Sequence, residues 1–305
     1  MSELRFDGQV ALVTGAGAGL GRSHAEELAR RGASVVLNDC AFTEDGTSTA
    51  ERAARELRER GWHAVSMTGD VGVESEAVSL VERTLTDFGR LDILVNNAGG
   101  AGYGVAHETT TDQLSEALRV HLFGMFWTMR AALGHMRVRG YGRIVNTTSA
   151  LGVFGSPGSL PYVTAKAAIV GLSRAASLDN RDRDIRINVL APVAVTSAAS
   201  AAYFAARPEL DVALLHPSYT SPAVVYLVHR SCELHGETIA AAGGRVARLF
   251  TAAVPGYADA GLDAEQVAEH IDRVMDTAGF RILGSSLEQY DMLPKFEHGG
   301  RRAAR

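Results

Sequence analysis

Short, unbroken apolar runs alternate along the chain with longer stretches whose apolar positions recur every three or four residues. The runs are Val10–Thr14, Ser34–Asn38, Ala64–Met67, Ile93–Asn96, Ile144–Thr147 and Ile185–Leu190. They lack the polar alternation of a strand with one wet face, so they predict strands buried on both sides. The stretches Gly21–Arg31, Ser48–Arg60, Ser75–Phe88, Thr111–Arg137 and Tyr162–Asn180 predict helices between them. Gly32, Gly61 and Gly89 stand where three of these helices should stop. Strand–helix–strand repetition requires right-handed crossovers, which gives a single α/β domain: a doubly wound parallel sheet with helices on both faces. Residues 1–250 are expected to form it. Residues 251–305 read as an extension packed on the same domain, with one helix at Ala264–Thr277 and a frayed tail from about 295.

Ile187–Ala206 carries no charge and is about long enough to span a bilayer. Asn188, Pro192, Thr196, Ser197 and Ser200 interrupt it, so it reads as a buried strand, a turn and a short helix, with no membrane span. The charged start, Met1 to Asp7, lacks the apolar centre of a signal peptide, and a cytoplasmic protein is expected. Two cysteines, Cys40 and Cys232, cannot make a disulfide framework. Lys and Arg total 30 against 35 Asp and Glu, a net charge of −5. That leaves no basic surplus for a phosphate backbone and excludes nucleic acid as a partner.

Ligands of such sheets bind outside the carboxyl ends of the strands, so chemistry is sought there. Thr14-Gly15-Ala16-Gly17-Ala18-Gly19-Leu20-Gly21 follows the first strand and opens the first helix. Glycines permit close backbone approach, and the helix start offers N–H groups to a phosphate. The spacing is T-G-x-x-x-G-x-G, through Gly15, Gly19 and Gly21. Asp39 ends the second strand, where a carboxylate can accept hydrogen bonds from adenosine ribose hydroxyls and repel a 2′-phosphate. That favours NAD, while Arg22 keeps NADP from being excluded. Asp70 ends the third strand and suits either an adenine edge or a helix cap.

Tyr162 and Lys166 are four apart and share a helix face, and Ser149 follows the fifth strand. Singly, these would be a packed ring, a solvated stem and a cap. Together with the glycine loop they form a set. Thr14–Gly21, Asn96-Asn97-Ala98-Gly99, Ser149 and Tyr162-Val163-Thr164-Ala165-Lys166 resemble the short-chain dehydrogenase/reductase family over residues 5–245. The resemblance implies a single Rossmann-type domain, a nicotinamide cofactor, and Ser149, Tyr162 and Lys166 as the catalytic set. It also implies cofactor contacts at Gly15, Gly19, Leu20, Gly21, Asp39, Asp70 and Val71. Further contacts fall on Asn97, Ala98, Gly99, Tyr162, Lys166, Pro192 and Thr196. Arg5–Gly8, Val35–Asp39, Tyr141–Ile144 and Ser231–Glu233 are similar to the (3R)-hydroxyacyl-CoA dehydrogenase module of type 2 peroxisomal multifunctional enzymes and its stand-alone bacterial relatives. That similarity implies a fatty acyl-CoA or steroid-related substrate.

Two positions depart from the family pattern. His121 stands where most members carry an Asn that holds a proton-relay water, and Val193 follows Pro192 where a Gly is usual. Imidazole titrates near neutral pH, so His121 is expected either to pass a proton toward solvent or to be a hydrogen-bonded core residue. Ser197–Leu215, with Tyr203, Phe204, Leu210, Leu214 and Leu215, falls where the family places its substrate lid, and its apolar character suggests a lipophilic substrate. His229-x-x-Cys232-x-x-His235 has ligand-like spacing but no second cluster, so no metal is expected. Trp127 and Met129 read as core or subunit contact, and the family implies a homodimer or homotetramer through the two long helices. The leading reading is an NAD-dependent oxidoreductase that interconverts a secondary alcohol and a ketone. Its rivals are an NADP-dependent ketoreductase and a non-catalytic cofactor-binding scaffold.

Overall fold

The computed structural model describes residues 3–207 and 209–295. The chain divides into two compact units, the first ending at Arg248 and the second beginning at Leu249. In the first unit β1 (Val10–Thr14), β2 (Ser34–Asp39) and β3 (Ala64–Thr68) alternate with α1 (Gly19–Arg30), α2 (Thr49–Glu59) and α3 (Glu74–Phe88). β4 (Ile93–Asn96) leads to α4 (Thr111–Leu118), a π-helical turn at Arg119–Phe123, and α5 (Gly124–Arg139). β5 (Tyr141–Thr147), α6 (Ala150–Phe154), α7 (Leu160–Asp179) and β6 (Asp184–Pro192) follow. α8 (Ala198–Ala205), α9 (Ser221–Val228), β7 (Thr238–Ala242) and β8 (Arg245–Leu249) complete the sheet and its cover.

The strand order is β3-β2-β1-β4-β5-β6-β7-β8, and neighbours from β3 to β7 pair in parallel. The chain runs outward from β1 to β3, then returns to lay β4 on the other side of β1. The carboxyl ends of β1 and β4 therefore flank the switch in direction, where such sheets bind ligands. Successive strand residues face opposite layers. Val13, Val35, Leu37 and Val95 pack with Leu28, Leu57 and Val224 on one side. Leu12, Val36, Leu94 and Ile144 pack with Leu80, Met129 and Met136 on the other. The double burial expected of the apolar runs is what this sheet requires.

β1 and β4 match their apolar runs, and β2, β3, β5 and β6 extend one to three residues past theirs, because polar residues such as Asp39 and Arg143 still pair in the ladder. Arg143 is 1% exposed, and its guanidinium donates to the carbonyls of Gly142, Asp184 and Arg230. The stretch expected as one helix at Thr111–Arg137 is interrupted by the π-helical turn. Ile187–Ala206 divides into strand, turn and helix, and among the described residues no helix is long and apolar enough to cross a membrane.

The second unit holds a two-stranded antiparallel pair, β9 (Ala252–Ala253) and β10 (Arg281–Ile282). The helix expected at Ala264–Thr277 breaks at His270 into α10 (Ala264–Glu269) and α11 (Ile271–Met275). Neither piece has a buried residue, so no packing enforces a continuous helix, and short helices do not persist on propensity alone. Of the tail expected to fray from about 295, residues 296–305 lie outside the described residues.

Candidate active site

The glycine loop is fastened to the end of β4. Thr14 Oγ1 accepts from the backbone N–H groups of Asn97 at 3.0 Å and Ala98 at 3.1 Å. Asn97 Nδ2 donates back to the Thr14 carbonyl at 3.1 Å. A Cβ on Gly21 would lie 2.2 Å from the Gly15 carbonyl oxygen, so only a bare Cα lets α1 start this close to the loop. α1 begins after Ala18, whose side chain makes no cap, and carries no acidic residue in its first turn. Its leading N–H groups and positive dipole end suit an anion. Thr196 returns to the same place: a Cβ on Gly19 would lie 3.2 Å from Thr196 Cβ. Val193 N–H donates to the Ala241 carbonyl at 3.1 Å, so the residue in the usual Gly position is tied to β7.

Asp39 stands at the end of β2 beside this loop. Its Oδ2 accepts from Gly17 N–H at 2.9 Å and its Oδ1 from Ala41 N–H at 3.0 Å. Arg22 pairs with Glu56 of α2. Asp70 accepts from Gly72 N–H at 2.8 Å and from Arg119 Nη1 at 3.0 Å. Burial opposes the charge on Asp70, but these two donors outweigh it and hold the carboxyl below its ordinary range. It does not cap α3, whose N-cap is Val73. Val71 is buried next to it. Arg119 thus serves Asp70 from the π-helical turn, a role that no local sequence pattern signals.

Ser149, Tyr162 and Lys166 come together at the ends of β5 and α7. Ser149 starts α6, its Oγ accepting from Leu151 N–H at 3.2 Å. Lys166 is 3% exposed, and its Nζ donates to the Thr147 carbonyl at 2.8 Å. Burial pulls its ammonium down from 10.5 to about 7. Nζ lies 5.6 Å from the Tyr162 ring centre. Burial pushes the Tyr162 phenol up from its ordinary value, a hydrogen bond with Ser149 works the other way, and Tyr103 adds to the rise. Thr148 Oγ1 donates to the Lys166 carbonyl at 2.6 Å, which fixes α7 to the end of β5. Beneath the site, Asn96 Nδ2 donates to Asn146 Oδ1, and Asn146 Nδ2 to Ser173 Oγ, each at 2.9 Å. This buried chain holds β4, β5 and α7 together; the sequence reading found only Asn96, as part of a motif.

His121 lies in the π-helical turn with its ring edge-on to Tyr162, the centres 5.3 Å apart. Nε2 is 2.9 Å from the Gly100 carbonyl, which assigns its proton to that nitrogen. Nδ1 is buried without a partner, facing Gly99, where a Cβ would come within 2.4 Å of it. Burial first, then the Lys166 charge, push its pKa down to about 3 against the Gly100 bond. With its pKa that low, His121 is a buried, hydrogen-bonded, neutral imidazole near pH 7. A cleft of about 440 Å³ opens between the Gly100–Tyr103 loop and α4, with His121 and Pro161 in its wall.

In the segment expected as a lid, Ser197 and Ser200 cap α8 reciprocally. Tyr203, Leu210 and Leu214 are exposed, while Leu215 is buried. Trp127 stacks on the exposed Phe123, and Met129 is in the core. His229 is engaged by Ser231 and His235 by the Ser177 carbonyl. Among the described residues no cluster of His, Cys, Asp or Glu is arranged to hold a metal ion.

A family model described as short chain dehydrogenase matches residues 9–208. The chain is 35% identical over 98% of its length to the peroxisomal multifunctional enzyme type 2 of Drosophila melanogaster and spans about half (51%) of that protein. It is 34% identical over 92% of its length to a putative short-chain type dehydrogenase/reductase of Mycobacterium tuberculosis, 98% of which is covered. A crystal structure of a short chain dehydrogenase from Mycobacterium avium superposes with a TM-score of 0.77 at 30% identity, covering 88% of this chain and 95% of that one.

Proposed function

Because the chain belongs to the short-chain dehydrogenase/reductase family of oxidoreductases, we propose that it oxidises a secondary alcohol to a ketone with NAD, and runs the reverse reaction. The observation that carries this is Tyr162 and Lys166 on one face of α7, with Ser149 at the end of β5, beside the glycine loop. The glycine loop, the start of α1 and Asp39 would hold the pyrophosphate and adenosine ribose. Asn97, Thr196 and Lys166 would hold the nicotinamide end. A bound oxidised nicotinamide would supply the hydride acceptor and a positive charge.

The protein's own part is proton handling. Tyr162 takes the proton of the substrate hydroxyl, and Ser149 holds the same oxygen. An ordinary phenol is ionised about once in a thousand at neutral pH, and burial here makes that rarer. The Lys166 ammonium is the near charge that favours the phenolate, so activity requires Lys166 protonated. Neutral His121 fixes the Gly100 carbonyl at the edge of the cleft and offers Nδ1 as an acceptor. A proton would pass it only by exchange of tautomers.

NAD is proposed over NADP because Asp39 would face a 2′-phosphate while Arg22 is committed to Glu56. The exposed Tyr203, Leu210 and Leu214 of the lid support a lipophilic substrate, a 3-hydroxyacyl-CoA or a steroid-like alcohol. The exposed Phe123 of the π-helical turn and its stacked partner Trp127 of α5 support a homo-oligomer through the long helices. Two free cysteines suit a reducing compartment, and the cytoplasm is proposed. The test is a panel of 3-hydroxyacyl-CoA thioesters and lipophilic secondary alcohols, offered with NAD and with NADP and followed by nicotinamide reduction. Turnover of at least one class with NAD preferred is expected. Equal or better efficiency with NADP would remove the cofactor assignment, and no turnover of either class would remove the substrate assignment.

A further inference from the structure

Gly17 lies outside the spacing that defines the glycine loop, and nothing in the T-G-x-x-x-G-x-G pattern asks for glycine there. The structure gives it a partner. Its N–H donates to Asp39 Oδ2 at 2.9 Å, while Ala41 N–H takes the other carboxylate oxygen at 3.0 Å. Each oxygen thus has one backbone donor, and the two bonds fix the carboxylate's orientation. A Cβ on Gly17 would sit 2.7 Å from Asp39 Oδ2 and 2.3 Å from Thr49 Oγ1. Real Cβ atoms do not come so close to other heavy atoms, so any side chain at 17 must drive both groups away. Thr49, at the start of α2, is itself anchored by its hydroxyl to the Ala41 carbonyl at 3.0 Å. It therefore closes the far side of the same small space.

We propose that Gly17 is a specificity-determining residue: its N–H and its bare Cα position the Asp39 carboxylate, and that placement lets the site tell an adenosine 2′-hydroxyl from a 2′-phosphate. The inference rests on the reading of Asp39 as the NAD-selecting residue. The physical reason is preorganisation. A carboxylate already held by two N–H groups keeps its remaining lone pairs aimed one way and loses little freedom when a ribose hydroxyl donates to it. A free carboxylate could swing aside from an incoming phosphate; one pinned to the loop cannot, so the like-charge contact stays. Gly17 acts through Asp39 and touches no reacting atom.

The test is a double-mutant cycle on binding, read by calorimetry as the ratio of the NADP and NAD dissociation constants. The proteins are the wild type, Gly17→Ala, Asp39→Ala and the double variant. Asp39→Ala should lower the ratio by at least about tenfold, equivalent to about 1.4 kcal/mol. Gly17→Ala should lower it by a comparable factor with Asp39 still present. In the Asp39→Ala background, Gly17→Ala should move the ratio less than about twofold, because its target is gone. Two of the three atoms a methyl would meet, Thr49 Oγ1 and Asp39 Oδ2, are ends of side chains, but the third, Thr49 Cβ at 2.6 Å, is fixed to the start of α2. Gly17→Ala/Thr49→Gly removes both Thr49 atoms, leaves Asp39 as the obstacle and should show the same loss of discrimination, and thermal unfolding should verify each variant. If Asp39→Ala lowers the ratio and Gly17→Ala does not, in the single and the Thr49→Gly form, the inference fails alone. Equal shifts in both Asp39 backgrounds would also overturn it. If Asp39→Ala itself leaves the ratio unchanged, the cofactor reading fails and takes the inference with it.

Discussion

Replacing Lys166 with Met should stabilise the protein near neutral pH while abolishing its activity. Lys166 is buried, and burial lowers its ammonium from 10.5 to about 7. Holding the charge in that site works against folding by about 5 kcal/mol, at about 1.4 kcal/mol for each pH unit by which the group is lowered. Between the folded and unfolded values the unfolded chain binds a proton that the native chain has released. Native stability therefore rises with pH through that window, and the contribution is fully unfavourable below about 7. Met fills a similar volume without the charge. It forfeits the bond from Nζ to the Thr147 carbonyl, a loss of about 1 kcal/mol at every pH. Urea unfolding of the two proteins should show Met ahead by a few kcal/mol near neutrality. The gap should close by about 2.7 kcal/mol over the two pH units from about 7.5 to about 9.5. A gap that stayed constant across those pH values would mean that Lys166 is not desolvated, and the account of its lowered pKa would be wrong. A more stable, inactive variant would mark Lys166 as a residue kept for chemistry at the expense of stability.

Tyr162→Phe should cut turnover by at least about a hundredfold while calorimetry shows NAD affinity retained; near-normal turnover would overturn the assignment of the base. His121→Asn should leave the pH profile of turnover without any change near pH 6.5, since the wild-type imidazole is already neutral there; loss of an inflection at that pH on substitution would contradict its burial. Phe123→Glu should disrupt assembly if the long helices form the contact. Sedimentation of the wild type at micromolar concentration should show a dimer or tetramer, and a monomer would refute the proposed contact.

The parts of this protein that were legible in its sequence are those governed by local periodicity. Six apolar runs identified the strands from β1 to β6, because a sheet buried on both faces leaves little room for polar residues between its edges. Tyr162 and Lys166 could be placed on one face because helical spacing is itself a geometry. What escaped was contact between distant segments. The bonds from Asn97 and Ala98 to Thr14 and from Arg119 to Asp70 join residues dozens of positions apart, and neither leaves a periodic trace. The His121 pKa escaped for a different reason. An imidazole's ordinary value is a property of water, and His121 is 3% exposed. The break at His270 escaped because a favourable pattern does not make a helix where nothing packs on it.

The π-helical turn at Arg119–Phe123 changes how this enzyme tolerates changes in length. Five residues close a turn there that ordinary helix would close with four, so the segment carries one residue more than its span requires. Loss of a single codon within it would leave the reading frame intact and let α4 run into α5 as one regular helix. The core would still be able to form, because Met125, Met129 and Met136 lie beyond the turn. Because the turn already absorbs the extra residue, its removal leaves α4 and α5 facing as before and changes only the turn between them. Arg119 and His121 would then no longer both reach Asp70 and Gly100. A scan of substitutions would never encounter this lesion. A library of one-residue deletions should find it at once, as a folded protein that has lost its cofactor site.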